Sequence, residues 1–205
     1  MVTRKKTRGS AKNPEEVPRG KFSESLAYLK ESRGPIYFVV ALFLLSSLAG
    51  FIFSDYFSFF NELLRGLNEK IEGLGWFELI WFIFQNNVTS AFFAMLLGAF
   101  IGIVPVFNAI TNGSLLGYVY SLASSQGGYG VILYIVPHGI FELPAVFIAL
   151  GMGIRLGMFA FAKKGTKKKE FVRRFFNSVL AFLFIVLPLL ILAAIIEGTL
   201  IHFSG

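Results

Sequence analysis

The sequence predicts an all-α protein, a polytopic bundle of about five transmembrane helices with amphipathic helices at the membrane interface. Of the 205 residues, 55% are hydrophobic and only 15% are charged, whereas soluble domains carry about 25% charged residues. The charges gather in short tracts, and the apolar stretches between them reach the roughly 18 residues that cross a hydrocarbon core. The absence of cysteine excludes disulfides and thiolate metal sites.

The chain divides into a tail and one membrane domain. Residues 1–21 are polar, with basic residues, Pro and Gly, a composition that predicts a disordered cytoplasmic tail. Residues 22–205 are predicted to form a single transmembrane domain. The first apolar run lacks a small-residue cleavage site and is interpreted as an uncleaved span, with Pro35 in its first turn. The predicted spans cover residues 35–53, 84–104, 106–124, 130–151 and 176–195.

Lysine and arginine are distributed unequally between the connecting segments. Residues 1–34 hold nine of the 19 Lys and Arg residues and residues 155–174 hold eight, against two in segment 55–75. Basic loops stay in the cytoplasm. We therefore predict a cell-membrane protein with a cytoplasmic N-terminus, a cytoplasmic 155–174 loop and an external C-terminus, which five spans satisfy.

Two connecting segments carry a helical pattern. From Phe57 to Leu74, apolar residues recur every three or four positions, which predicts an amphipathic helix capped by Ser54 or Asp55. It would lie on the outer surface of the membrane or form a subunit contact. Near the other face, a cluster of lysines is expected to bind the headgroups of anionic lipids, not nucleic acid. These lysines are Lys163, Lys164, Lys167, Lys168 and Lys169.

Polar residues at membrane depth are costly and therefore indicate a site. His138 and Glu142 lie four residues apart, on one helix face, between Pro137 and Pro144, which favour a break or kink. The pair could form a hydrogen-bonded structural lock, line a path for protons or cations, or supply two metal ligands. No cofactor other than a bound cation is expected. The predicted polar centre also includes Asn86, Asn87, Asn112 and Glu197.

Small residues recur at four-residue spacing in two of the spans. Gly98 and Gly102 lie in the second span, and Gly113 and Gly117 lie in the third. Such stripes let helices approach closely, and the short connection favours a hairpin of these two spans. Packing between subunits of a homo-oligomer is the alternative. Because Asn-Gly favours turns, we also predict a discontinuity in the third span at Asn112.

The same residues carry a family resemblance. Asn86-Asn87, Asn112-Gly113 and the element Pro137-His138-Gly139-x-x-Glu142, with Glu197 in the last span, resemble the stage II sporulation protein M family over roughly residues 25–200. The family consists mostly of uncharacterised prokaryotic multi-pass membrane proteins, and its sporulation member acts in a complex with peptidoglycan-remodelling enzymes. The resemblance implies a membrane component that acts with partner membrane or envelope proteins.

Two functions fit these observations. One is a non-enzymatic scaffold or subunit of a membrane-associated complex, in which the polar centre locks helices together. The other is a channel or transporter that moves a cation, a proton or a small solute past the His/Glu centre. Enzymatic activity is not expected, because the sequence contains no P-loop, G-x-S-x-G or H-E-x-x-H element.

Overall fold

The computed structural model describes the backbone of residues 20–125 and 130–204, and the side chains of residues 20–125 and 139–203. The tail predicted to be disordered lies almost entirely outside the described residues. The described part consists of helices, with no strand. These are α1 (Lys21–Ile52), α2 (Phe60–Ile71), α3 (Trp76–Leu97), α4 (Ile103–Ser125), α5 (Gly130–Gly157), α6 (Lys167–Ala181) and α7 (Leu187–Ser204).

The predicted all-α membrane bundle is confirmed. Four helical stretches of the described chain are long and apolar enough to cross a membrane, namely Lys21–Ile52, Trp76–Leu97, Gly139–Phe161 and Lys167–Phe203. Helix α4, the third predicted span, has 23 residues and is not among them. Its polar residues, including Asn108 and Asn112, lower its hydropathy. The described part of the bundle therefore has four long apolar helical stretches, and α4 is more polar than these.

The helix that carries the first predicted span begins earlier than predicted. Pro35 lies in the interior of α1, which begins at Lys21, not in a first turn. A proline at this position lacks the N–H that would bond to the carbonyl of Glu31. That carbonyl accepts a hydrogen bond of 2.6 Å from Nη1 of Arg155. An arginine from α5 thus supplies the missing donor, which explains how the helix continues through the proline.

The break between the second and third spans also lies elsewhere than predicted. Helix α4 runs without interruption through Asn112 and Gly113, and α3 ends at Leu97. The chain turns at residues 98–102, where Ile101 and Gly102 have φ values of 57° and 75°. Glycine adopts this left-handed conformation without strain. The Asn-Gly pair remains helical because Asn112 bonds within its own helix, as described below.

The remaining elements extend the predicted ones. Helix α5 is continuous across Pro144, so the predicted break is absent there. Helix α6 passes through a five-residue π-helical turn at Phe182–Val186 into α7, forming one long stretch. The predicted amphipathic helix is confirmed as α2, although no side chain caps it. Ser54 and Asp55 instead lie in a separate 3₁₀ turn, Ser54–Phe57.

The glycine stripes pack against helices other than the predicted ones. Added Cβ atoms at Gly113 and Gly117 would meet the α1 backbone at Phe43 and Ser47, and one at Gly98 would meet the α5 backbone at Gly153. Helix α4 packs mainly against α1, and α3 packs against α5 and α7. The predicted hairpin of the second and third spans is therefore wrong: each glycine stripe receives a helix distant in sequence.

A candidate polar cavity

A cavity of about 440 Å³ lies between the helices of the bundle. Helices α1, α2, α3, α4, α5 and α7 all contribute to its described lining. Asn86 and Asn87 come from near the middle of α3, and Glu142 comes from the central part of α5. Polar side chains from separate helices thus converge on one partly open space between the helices, at which Asn86 remains exposed.

The polar lining brings together most of the predicted centre. Two carboxyls and four amides surround the cavity, and none of the described lining residues is Lys or Arg. Asn108, the remaining asparagine of the second and third predicted spans, lies one turn before Asn112 and also lines the cavity. Seven polar residues share the cavity, namely Asn86, Asn87, Ser90, Asn108, Asn112, Glu142 and Glu197.

The asparagines bond within their own helices. Nδ2 of Asn112 donates a 2.8 Å hydrogen bond to Oδ1 of Asn108, four residues earlier in α4. Nδ2 of Asn86 donates a weaker bond of 3.3 Å to Oδ1 of the adjacent Asn87. Neither hydrogen bond joins two helices. The remaining acceptor and donor capacity of these amides is available to a molecule in the cavity.

The rest of the lining is apolar. Along α4, Leu115, Leu116 and Val119 follow the asparagines toward the C-terminal end of the helix, and Leu64 and Leu67 of α2 also contact the cavity. The sequence pattern predicted α2 as an interfacial helix but did not indicate that its apolar face would cover a polar space.

Two aromatic residues hold α2 in this position. Phe60, at the start of α2, and Tyr118 of α4 are both buried, at 4% and 3% exposure, with ring centroids 6.0 Å apart. The Tyr118 hydroxyl donates a 2.8 Å hydrogen bond to Oδ1 of Asn61. These contacts fix the first turn of α2 against α4 and place its leucines over the cavity.

His138, the predicted partner of Glu142, is described only in its backbone. The backbone of His138 belongs to α5, one turn before Glu142, but its side chain is outside the described residues. Within the described chain, no three His, Asp or Glu side chains gather as a metal site would require. The metal hypothesis, with His138 and Glu142 as candidate ligands, therefore stays a prediction.

Comparison with known proteins assigns this sequence to a family. The family model of stage II sporulation protein M matches residues 39–200. The chain belongs to the stage II sporulation protein M family. The match includes every described residue of the cavity lining, from Phe43 to Glu197.

This family member also resembles an archaeal protein. An uncharacterised protein of Methanocaldococcus jannaschii is 29% identical over 180 residues, covering 80% of this chain and 80% of the relative. No solved structure matches the chain significantly. The comparisons therefore supply the family and leave the chemistry to the residues themselves.

A second polar cluster in this family member ties α1, α5 and α6 together at the ends of those helices. Arg155 forms an ion pair with Glu31 and lies over the Tyr28 ring, with its Cζ atom 5.4 Å from the ring centroid. Nη1 of Arg174 donates a 2.9 Å hydrogen bond to the carbonyl of Arg155. The sequence predicted only a basic loop here, because an ion pair between residues so distant in sequence has no local signal.

The predicted lipid-binding lysines lie beside this cluster and face outward. All five, from Lys163 to Lys169, are exposed. The start of α1, the end of α5 and the start of α6 share this end of the bundle. At the other end, Nε1 of Trp76 in α3 donates a 3.1 Å hydrogen bond to Oγ1 of Thr199 in α7. The most basic segments of the described chain are thus gathered at one end.

Proposed function

We propose that this protein is a non-enzymatic channel or transporter that binds a small cationic solute or a proton in the polar cavity. The observation that supports this proposal is the open space of about 440 Å³ that two carboxyls and four amides share within the bundle. Placing polar side chains at membrane depth costs free energy, and a pathway for a polar solute would explain their presence.

The sign of the charge on the ligand is inferred from the charged side chains of the cavity. Glu142 and Glu197 both line the cavity, and its described lining contains no basic side chain. Two acidic side chains that share one cavity make its electrostatic potential negative, which attracts counter-ions of positive charge. This potential favours a cation or a proton in the cavity and disfavours an anion.

The hydrogen bonds favour a pathway over a structural lock. A lock requires polar side chains of different helices to bond to each other, as polar residues do in membrane bundles. Asn112 bonds to Asn108 and Asn86 bonds to Asn87, each within one helix. The four asparagines therefore line the space without joining two helices through these bonds.

Flux through proteoliposomes tests the proposal. The wild-type protein should conduct protons or cations, and Glu142→Gln should abolish that flux while leaving thermal stability in detergent nearly unchanged. Glu62→Gln is the matched control, because Glu62 is an exposed acid of α2 outside the cavity lining, and it should retain the flux.

A second pair of variants tests the space independently of charge. Ser90 lines the cavity, so Ser90→Leu should block flux by filling it. The neighbouring Thr89 is exposed and is not part of the described lining, so Thr89→Leu adds similar bulk and should have little effect. Absence of flux in the wild type for every cation tested, or equal flux in Ser90→Leu, would contradict the proposal.

A scaffold or subunit of a membrane-associated complex is the second candidate. Membership of a family described as a sporulation protein favours it. In this role the protein would form homo-oligomers or bind partner membrane or envelope proteins. A strictly monomeric protein in nanodiscs, with no partner after crosslinking in cells, would argue against this candidate.

A further inference from the structure

We propose that the ligand of the cavity is a small organic ammonium ion, an amine with a short hydrocarbon body, and this inference rests on the proposed function. The ammonium group would lie at the carboxyls of Glu142 and Glu197, and the hydrocarbon body would lie against the leucines.

The polar lining suits an ammonium group. An ammonium group carries positive charge and up to three N–H donors, and it requires oxygen acceptors only. The Glu142 and Glu197 carboxyls and the side-chain oxygens of the asparagines are such acceptors. Hydrogen bonds in which both partners are charged are the stronger ones, so the carboxyls are expected to set affinity and the amides to set orientation.

The size of the cavity distinguishes an organic cation from a bare metal ion. Protein sites for Ca²⁺ or Mg²⁺ surround the ion with oxygen atoms at about 2.0–2.6 Å. The cavity of about 440 Å³ falls within the roughly 300–1,000 Å³ of small-molecule sites. A monatomic ion would therefore need many water molecules to fill the space.

The apolar part of the lining disfavours those water molecules. Leu64 and Leu67 of α2, together with Leu115, Leu116 and Val119 of α4, offer no hydrogen-bond partner to a hydration shell. Placing water or a hydrated ion against such a wall costs hydrogen bonds. A hydrocarbon chain gains free energy by contacting the same wall. An alkylammonium ion satisfies both parts of the lining.

Ligand-induced stabilisation of the full-length protein in detergent tests the inference. Ethyl-, propyl- and butylammonium chloride are compared with the corresponding alcohols, with butyrate, and with Na⁺, K⁺ and Mg²⁺ chlorides. The ammonium ions should raise the melting temperature in a saturable manner. Affinity should increase about fourfold for each added methylene, the value expected for a buried CH₂.

Charge recognition is tested by substitution. Glu142→Gln should weaken butylammonium binding at least about tenfold, as expected for the loss of a charge-assisted hydrogen bond, while Glu62→Gln should bind as the wild type does. If Glu142→Gln fails to fold, the comparison of butylammonium with butanol on the wild-type protein carries the same information, because the two differ mainly in the cationic group.

The outcomes separate this inference from the proposed function. Glu142-dependent stabilisation by inorganic cations without any effect of alkylammonium ions would overturn the amine and leave a cation-binding cavity. Equal stabilisation by butanol and butylammonium would show apolar binding alone and overturn the inference. Proton flux that depends on Glu142, with no effect of any amine, would also overturn it. No cation effect and no flux would overturn both proposals.

Discussion

Replacing Gly117 by alanine should destabilise the bundle, although alanine is the better helix former. Gly117 lies in the interior of α4, and a Cβ atom there would overlap the backbone carbonyl of Ser47 in α1 and approach the Phe51 nitrogen to 2.8 Å. These are backbone atoms of a packed helix. They cannot rotate away, so α1 and α4 would have to separate.

The magnitude is a difference between two effects. Alanine in place of glycine contributes about 1 kcal/mol to helix stability, whereas forcing an extra methyl into a packed contact costs about 1–3 kcal/mol. Because the obstacle is backbone, we expect a value near the upper limit and a net loss of about 2 kcal/mol. Gly66→Ala is the matched control: Gly66 lies inside α2 with nothing within 4 Å of an added Cβ, so it should gain about 0.5–1 kcal/mol.

Unfolding by sodium dodecyl sulfate in mixed micelles, followed by the fluorescence of Trp76 and Trp81, measures both variants. The two substitutions should shift the midpoint in opposite directions and differ by about 3 kcal/mol in the free energy of unfolding, the sum of an expected loss near 2 and gain near 1. If Gly117→Ala is as stable as Gly66→Ala, α1 and α4 do not pack in the way described, and the reasoning is refuted.

Two further predictions concern the membrane. In this cysteine-free chain, Gly66→Cys should react with an impermeant maleimide from outside intact cells, since α2 is predicted to be external; reaction only after permeabilisation would reverse the topology. Replacing the five lysines of segment 163–169 by Gln should reduce binding of a loop peptide to anionic vesicles by about 1 kcal/mol per lysine, an effect that salt weakens. Equal binding of the unaltered peptide to neutral vesicles would remove the electrostatic explanation.

The helical elements could be predicted because their signals are local. Uninterrupted apolar runs predicted the long helices, and apolar residues recurring every three or four positions predicted α2. Both signals depend on residues within one or two helical turns of each other. The polar centre was likewise predictable from the sequence. Placing Asn86, Asn112 or Glu142 within a membrane costs free energy whichever helices pack around it.

The contacts between helices could not be predicted in the same way. Gly113 and Gly117 indicated a close approach but carried no information about which helix approaches, and the nearest helix in sequence was the wrong choice. Similarly, Pro35 was interpreted as a helix start, because the sequence does not show that the fold brings Arg155 to the carbonyl of Glu31. In both cases a residue distant in sequence decides the outcome.

The distinction between a lock and a cavity depends on volume, which no residue pattern encodes. The same asparagines and carboxyls would serve either purpose. Helix α1 packs on α4 through Gly113 and Gly117, while α3 packs on α5 through Gly98. Small residues permit close packing at these contacts, and the larger Leu, Asn and Glu side chains stand around the space that remains. Helix α2 borders that space and is attached to α4 through the Phe60–Tyr118 contact and the bond to Asn61. The cavity and the position of α2 beside it are consequences of the same helix arrangement.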